Sequence, residues 1–259
     1  MPTLLRRALR RATPETLKRE LKIARVRLSE RIGSTRFSWP ALYELDKNLV
    51  REAARSPGVF LEVGANDGYN QSNTWYLERH LGWTGVLVEP LPRLAAACRR
   101  TRSRSIVFNR ALVGPGGPPT IKIIDSNLTS VAEGLQGAAQ ERRRLQGVKR
   151  REVVVPTATM SELIDESGLG RPNLISVDVE GAELAVLSGL DLSRHCPELL
   201  LVETDTPDAV LELLTPRMRL RRQMTHHDYL FEAVADFCDD ERAGVHAQGG
   251  EAVDDSSET

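Results

Sequence analysis

The sequence predicts an α/β fold in which a mostly parallel β-sheet is flanked by helices. Short, continuous apolar runs are typical of strands buried on both faces of a parallel sheet. In the middle of this chain they alternate with segments of helical periodicity. A glycine-containing turn follows the first apolar run, at the point where an open α/β sheet binds its ligand. With 259 residues, of which 41% are hydrophobic, the chain is long enough to bury a substantial core.

Residues 1–36 are predicted to form a basic helical extension. Residues 1–31 contain ten Lys and Arg against three Glu. Their apolar residues recur at spacings of three and four, which indicates an amphipathic helix with the stripe Leu17, Leu21, Ala24, Leu28 and Ile32. Such a helix can lie on an anionic membrane surface, so peripheral membrane contact is one interpretation. We favour the other, a helix that packs on the domain and leaves its charged face in water.

Residues 37–238 are predicted to form the α/β domain, which begins with a helix over residues 40–55. Strands are predicted at Val59–Val63, Gly85–Glu89, Ser105–Leu112, Thr120–Ile124, Leu174–Asp178 and Leu199–Glu203. Helices are predicted from the first turn to about His80, and over Leu91–Thr101 and Ala182–Leu190. The alternation predicts βαβ units with right-handed crossovers, and therefore one parallel sheet.

Two charged segments interrupt or follow this alternation. Residues 125–151 lie between the third and fourth main strands and include a basic cluster over residues 142–151. They form either a cover for the functional site or a solvated loop. Residues 239–259 contain seven Asp and Glu against one Arg and are predicted to be a disordered acidic tail.

Charge and hydropathy argue against several classes of protein. The net charge of −1 argues against a nucleic-acid-binding protein, whose binding domain is usually strongly basic. No apolar run approaches the roughly 20 residues that cross a bilayer. The N-terminus lacks the apolar stretch and small-residue cleavage site of a secretory signal, so a cytoplasmic location is expected.

The turn after the first strand, Phe60–Gly68, distinguishes between cofactors. A dinucleotide-binding turn has the pattern GxGxxG, which places a pyrophosphate on a helix N-terminus. Here the pattern is ExGxxxG, and Glu62 and Asp67 add negative charge that would repel a pyrophosphate. The amino group and the sulfonium of S-adenosylmethionine are cationic, so these carboxylates favour that cofactor.

Glu89 is a second candidate for cofactor binding. It ends the second predicted strand, 21 residues after Gly68. An acidic side chain at this place can accept hydrogen bonds from both ribose hydroxyls of a nucleoside. NAD-binding proteins have an acid at the same place. Glu89 therefore indicates a nucleoside cofactor, and the ExGxxxG turn selects between the two classes.

Several segments together resemble the FkbM family of methyltransferases. They are Phe60–Gly68, Trp83–Gly85, Val88–Pro90, Asn109–Ala111 and Val177–Glu183, of which the last reads VDVEGAE. Their order and spacing resemble the family over roughly residues 58–235. The resemblance implies a Rossmann-like class I methyltransferase fold and S-adenosylmethionine as the methyl donor. It further implies O-methylation of a hydroxyl on a sugar, glycolipid or secondary metabolite.

The same resemblance implies a set of cofactor-binding residues. The set is Gly64, Asn66, Gly68, Glu89, Asn109 and Ser130. Asn109 is expected to approach the adenine, and Ser130 is expected near the cofactor. Glu62 and Asp67 join this set because of their charge.

Candidate catalytic residues follow the fourth main strand, at the sheet edge that borders the acceptor in this fold. A neutral hydroxyl is a poor nucleophile, so a base or a metal must remove its proton. We rank Asp178 first as this base and Glu180 second, or as a residue that orients the acceptor. A histidine of the pair His226-His227 ranks third.

Three alternatives stay open at this point. Asp178 with Glu203 and Asp205 offers oxygen ligands for Mg²⁺, although we expect no metal. An NAD(P)-linked oxidoreductase has a related sheet but is disfavoured by the missing GxGxxG pattern. A non-catalytic binding protein that keeps the cofactor fold has no need of Asp178 and Glu180. The sequence thus favours a methyltransferase that acts on a small-molecule or saccharide acceptor.

Overall fold

The computed structural model of the protein describes residues 15–53, 57–125, 130–132 and 151–235. The helices are α1 (Glu15–Arg31), a 3-10 turn (Leu42–Glu44), α2 (Leu45–Glu52), α3 (Trp75–His80), α4 (Pro92–Thr101), α5 (Met160–Ser167), α6 (Glu183–Leu187), α7 (Leu192–His195) and α8 (Pro207–Leu214). The strands are β1 (Val59–Val63), β2 (Thr84–Val88), β3 (Ser105–Phe108), β4 (Ala111–Leu112), β5 (Thr120–Asp125), β6 (Ser130–Ala132), β7 (Arg151–Ala158), β8 (Leu174–Val177), β9 (Leu199–Glu203), β10 (Met218–Gln223) and β11 (Asp228–Ala233).

The central sheet has seven strands in the order β10-β11-β9-β8-β1-β2-β3. Strand β1 pairs in parallel with β2 on one side and with β8 on the other, while β11 is antiparallel to both of its neighbours. The strand order reverses between β1 and β8, and ligands of open α/β sheets bind at such a switch point. The predicted α/β fold with a mostly parallel sheet is confirmed.

Both faces of β1 are buried, as its continuous apolar sequence predicts. Leu61 and Val63 belong to one hydrophobic cluster, and Phe60 belongs to a second cluster on the opposite face, together with Trp83. This division follows the two-residue period of a strand. Burial of each such side chain contributes about 1.5–3 kcal/mol to stability, so packing fixes the position of β1 and of the turn that follows it.

A second sheet, in the order β4-β7-β5-β6, is added beside the central one. The strand predicted over Ser105–Leu112 is wrong in its extent, because residues 109 and 110 separate β3 in the central sheet from β4 in the second sheet. The helix predicted over residues 40–55 is shorter, since the left-handed backbone of Tyr43 and Glu44, within the 3-10 turn, interrupts it before α2 begins. Residues 142–150 of the basic cluster and the acidic tail 239–259 lie outside the described residues.

Helix α1 packs on the domain, but through a face that the sequence pattern did not indicate. Ile23 and Val26 are buried against Tyr69 and Trp75. The predicted apolar stripe instead faces outward, with exposed fractions of 44% for Leu17, 60% for Leu21, 63% for Leu28 and 77% for Ile32. In the described part of the chain, no helix is long and apolar enough to cross a membrane.

Candidate cofactor and acceptor site

A cavity opens where β1, β2 and β8 end, at the switch point of the central sheet. Six predicted site residues line it: Glu62, Gly64, Asn66, Glu89, Asp178 and Glu180. Asp67, Gly68 and Asn109 are not among the lining residues. Each hydrogen-bonds to a residue that is: Asp67 to Asn70, Gly68 to Ala65 and Asn109 to Glu89. The backbone of Ser130 belongs to β6, but its side chain lies outside the described residues.

The two glycines of the ExGxxxG turn are required by close packing. Gly64 has φ +83°, and a Cβ there would lie 1.9 Å from the backbone oxygen of Asp178. A Cβ on Gly68, with φ +81°, would lie 2.8 Å from Cγ of Arg102. Asn66 between them also has a positive φ, +52°, a conformation that Asn adopts more readily than most residues. The turn therefore brings its backbone close to the ends of both β8 and α4.

Glu89 is held at the edge of the cavity with its carboxylate fixed by backbone. Its two oxygens accept hydrogen bonds from the backbone N–H groups of Asn66 and Leu91, each at 2.9 Å. The residue is only 4% exposed, and burial raises the pKa of its carboxyl to about 7 in spite of these bonds. Each carboxylate oxygen has a second lone pair, so Glu89 can also accept two hydroxyl donors from a ligand.

Glu62 organises the cavity wall from within. Its carboxylate accepts hydrogen bonds from Ser72 Oγ at 3.0 Å, from the Asn73 backbone N–H at 2.8 Å and from Thr74 Oγ1 at 2.6 Å. The buried guanidinium of Arg102 lies 3.6 Å away and balances its charge. Glu62 therefore fixes the loop that follows the turn, in addition to lining the cavity.

Asp67 connects the turn to the N-terminal helix. The residue is 1% exposed and accepts hydrogen bonds from the backbone N–H groups of Tyr69 and Asn70, at 3.1 and 2.8 Å. Its other oxygen accepts a hydrogen bond from Arg19 Nε at 2.6 Å. In the structure, Asp67 thus has partners within the protein, and it shapes the loop at the cavity rather than facing the cavity itself.

Asn109 supports the backbone that carries Glu89. Its side-chain amide donates hydrogen bonds to the carbonyl oxygens of Glu89 and Pro90, at 2.9 and 2.7 Å. Both side-chain N–H groups are used, so the amide holds the end of β2 against the end of β3. The predicted approach of Asn109 to an adenine stays a prediction.

Asp178 lies across the cavity from Glu89, at the end of β8. Its backbone N–H donates to the oxygen of Val63 at 3.1 Å, which locks the end of β8 against β1. Burial, and then the charges of Glu203 and Glu180, raise the pKa of Asp178 well above its usual range. Glu203 ends the neighbouring strand β9, in which Val202 pairs with Val177 of β8, so the two acidic residues lie side by side at the strand ends.

The turn that bears Glu180 has a strained backbone that a side-chain hydrogen bond holds in place. Glu180 has φ +55° and Gly181 has φ +95°, so two left-handed residues follow one another. The buried carboxylate of Glu183 accepts a hydrogen bond from the Gly181 backbone N–H at 2.7 Å. Residues held in sparsely populated backbone conformations cluster at functional sites. Of the three acidic residues of VDVEGAE, Asp178 and Glu180 therefore line the cavity, and Glu183 holds the turn.

The histidine pair lies farther from this centre. Nδ1 of His227 lies 2.9 Å from a carboxylate oxygen of Asp205, and both side chains are exposed. Neither His226 nor His227 lines the cavity. No cluster of three or more His, Cys, Asp or Glu residues in the described ranges has an arrangement suited to a metal ion.

Sequence reasoning missed the cations of the cavity wall. Arg19, Arg93 and Arg110 all line it. Arg93 makes a two-pronged pair with Asp125, with both nitrogen–oxygen distances at 2.7 Å. Arg110 adjoins the predicted Asn109, but Arg19 is distant in sequence from every segment that resembles the family. No sequence signal distinguished it from the other basic residues of the N-terminus.

The comparisons with known proteins identify the family. The model of the methyltransferase FkbM domain matches residues 62–237, which is more than half of the chain. The chain belongs to the FkbM methyltransferase family. No curated protein matches the FkbM chain in sequence.

Solved structures similar to this FkbM chain share little sequence with it. An FkbM methyltransferase from Methylobacillus flagellatus has 16% identity and a TM-score of 0.43, over 68% of this chain and 43% of that one. An O-methyltransferase from Bacillus cereus, in complex with SAH, has 12% identity and a TM-score of 0.42, over 82% and 90% of the two chains. A TehB-like SAM-dependent methyltransferase from Corynebacterium glutamicum has 10% identity and a TM-score of 0.41, over 85% and 100%. The chain thus spans less than half of the length of the Methylobacillus protein.

The donors and acceptors of the cavity suit S-adenosylmethionine. A nucleoside needs an acceptor for its two ribose hydroxyls, which the fixed carboxylate of Glu89 supplies. The cationic sulfonium and amino group need acidic side chains and oxygen acceptors nearby, and Glu62, Asp178 and Glu180 line the cavity. Apolar side chains also line the cavity, among them Leu94, Ile121 and Ile123, against which a base can pack. The residues present therefore fit this cofactor.

Proposed function

We propose that this FkbM chain methylates a hydroxyl of a small-molecule or saccharide acceptor with S-adenosylmethionine as donor. The main support is the placement of Glu89 and Asp178 on opposite sides of one cavity, two strands apart in the sheet. Neighbouring strands lie about 4.8 Å apart, so the two strand ends are separated by about 10 Å. This separation suits a ribose held at Glu89 and an acceptor hydroxyl held at Asp178.

Asp178 is proposed as the general base of this reaction. When bound, S-adenosylmethionine supplies a methyl group activated by its sulfonium. Asp178 accepts the proton of the acceptor hydroxyl, and its raised pKa makes it a stronger base than an exposed carboxylate. Glu180 lines the same cavity and accepts a hydrogen bond from the acceptor, which aligns the hydroxyl oxygen for in-line attack.

Binding measurements test the cofactor. Isothermal titration with S-adenosylhomocysteine, S-adenosylmethionine and NAD⁺ should give binding of the two sulfur ligands and none of NAD⁺. Glu89→Ala should abolish this binding, whereas Glu52→Ala, which removes a carboxylate remote from the cavity, should not. Binding of NAD⁺ alone would favour the oxidoreductase alternative. Absence of all three would argue for a degenerate scaffold.

Activity measurements test the base. Formation of S-adenosylhomocysteine is followed with a panel of sugars and phenols as acceptors. Asp178→Asn should lower the rate by at least about 100-fold, the typical contribution of a general base, and Glu180→Gln should reduce it less. Asp205→Asn is the matched control, because Asp205 is an exposed acid of the neighbouring loop paired with His227. Full activity of both Asp178→Asn and Glu180→Gln would exclude these carboxylates from the mechanism.

Peripheral membrane contact is a second proposal, favoured by the outward stripe of α1. Leu17, Leu21, Leu28 and Ile32 are exposed along one face, and exposed arginines such as Arg27 flank it. Sedimentation with vesicles containing an anionic lipid should retain the protein, and neutral vesicles should not. Ser substitution of both Leu21 and Leu28 should abolish retention. Leu220→Ser, at another exposed leucine, should not, and equal retention of both variants would contradict the proposal.

A further inference from the structure

The N-terminal helix α1 forms part of the wall of the cofactor cavity, although it precedes the matched family domain. The family model begins at residue 62, whereas α1 spans Glu15–Arg31. Arg19 of this helix lines the same cavity as Gly64, Asn66 and Glu89. A cavity wall that comes from outside the family domain raises the question of which part of the ligand it contacts.

Apolar and polar contacts fix α1 in this position. Ile23 and Val26 are buried against Tyr69 of the loop after β1 and Trp75 of α3. Lys22 hydrogen-bonds to the side-chain oxygen of Asn70. Near the other end of the helix, Glu30 pairs with Arg79 of α3 at 2.7 Å. The helix is therefore held on the domain by side chains along the stretch that follows Arg19.

Arg19 uses one guanidinium nitrogen within the protein and has two more that can donate hydrogen bonds to a ligand. Its Nε donates to Asp67 at 2.6 Å, which fixes the plane of the guanidinium at the cavity wall. Within the described parts of the chain, its two terminal nitrogens make no hydrogen bond. The side chain is only 20% exposed, so a charge-assisted bond formed there is partly shielded from water.

The direction of the ligand follows from the proposed function, on which this inference rests. A ribose at Glu89 places the nucleoside at the end of β2. The reacting methyl group must face Asp178 at the end of β8, so the sulfur lies over β1 between them. The amino-acid part of the cofactor then extends towards the loop after β1, where Arg19 and Asn70–Asn73 line the cavity.

We propose that Arg19 binds the α-carboxylate of the methionyl part of the cofactor, so that the N-terminal helix completes the cofactor site. The other two cations of the wall are less suited. Arg93 is engaged by both oxygens of Asp125, and Arg110 follows β3, on the far side of Glu89 from β1. A planar guanidinium also matches a carboxylate with two parallel hydrogen bonds.

The test compares a ligand that has the amino-acid part with one that lacks it. Binding of S-adenosylhomocysteine and of 5′-methylthioadenosine is measured by isothermal titration for wild type, Arg19→Gln and Arg27→Gln. Arg27 is the matched control, because it is an exposed arginine of the same helix whose bond is to a backbone oxygen at 3.3 Å. Arg19→Gln should weaken S-adenosylhomocysteine by about 10- to 100-fold, as expected for a lost bond to a charged group. It should change methylthioadenosine affinity by less than about 2-fold.

Each outcome supports or contradicts a separate claim. Failure of wild type to bind S-adenosylhomocysteine overturns the proposed function itself. Wild-type binding that Arg19→Gln leaves unchanged overturns only the role of Arg19. Equal weakening of both ligands also overturns it, since Arg19 would then act by holding Asp67 and the turn. If Arg19→Gln does not fold, Arg19→Lys keeps a cation for Asp67 but loses the two-pronged geometry, and the same selective loss is expected.

Discussion

Replacing Glu89 with glutamine should change how the stability of the protein depends on pH. Glu89 is almost fully buried, and burial raises its pKa from an ordinary value of 4.5 to about 7. Its two oxygens accept backbone N–H bonds, which favour the charged form but do not offset the desolvation. Ionisation of Glu89 is therefore unfavourable in the folded protein, at the place where we propose that a ribose binds.

The sign follows from proton binding. Between pH 4.5 and about 7, the folded protein keeps a proton that the unfolded chain has released. The free energy of unfolding of the wild type therefore falls as pH rises through this interval, by about 3 kcal/mol in total. Glu89→Gln lacks this titration. The variant also leaves one backbone N–H facing an amide N–H₂ group, which costs about 1–3 kcal/mol but at every pH alike.

Urea unfolding of both proteins at about pH 5 and about pH 8.5 isolates the effect. The loss of stability between these two conditions should be about 2–3 kcal/mol larger for wild type than for Glu89→Gln, because part of the titration is complete by about pH 5. Other carboxyls titrate equally in both proteins, and the pH-independent cost of the lost bond cancels in this difference. Equal losses in the two proteins would refute the raised pKa and the reasoning that depends on it.

Three further substitutions test the packing that positions the site. Gly64→Ala should destabilise the protein by more than about 3 kcal/mol in urea unfolding, since its Cβ would lie 1.9 Å from a backbone oxygen. Gly33→Ala, with φ +78° and open space around it, should cost only about 1–2 kcal/mol of backbone strain; similar costs would contradict the steric argument. Arg102→Met should cost about 3–5 kcal/mol, because it leaves buried carboxylates without their cation, whereas exposed Arg100→Met, in the last turn of the helix that Arg102 follows, should cost under about 0.5 kcal/mol. Asn109→Asp should weaken S-adenosylhomocysteine binding at neutral pH, since a carboxylate would repel two carbonyl oxygens that now accept its amide hydrogens; unchanged affinity would show that this support is dispensable.

Much of the central sheet could be predicted because its signals are local. The apolar runs at Val59–Val63 and Leu199–Glu203 coincide with β1 and β9. A strand buried on both faces is predominantly apolar, and this pattern is visible without knowledge of its neighbours. The boundary error at Ser105–Leu112 has the opposite cause: β3 and β4 are both apolar, but they pair with different sheets. Pairing partners are set by tertiary contacts, so a single apolar run does not show which sheet its strand will join.

The sequence by itself determined the α/β class, the turn at Phe60–Gly68 and the acidic strand ends, because strand period, glycine and charge are properties of short segments. Tertiary structure alone decided how these residues divide their roles. Asp67 pairs with Arg19, 48 residues away in sequence, and Asp178 lies beside Glu203 at the ends of two neighbouring strands. It also decided which face of α1 is buried. A helix with apolar residues on more than one face can pack on the domain in more than one way. The face that becomes buried is the one whose apolar side chains and ion pairs find partners on the domain.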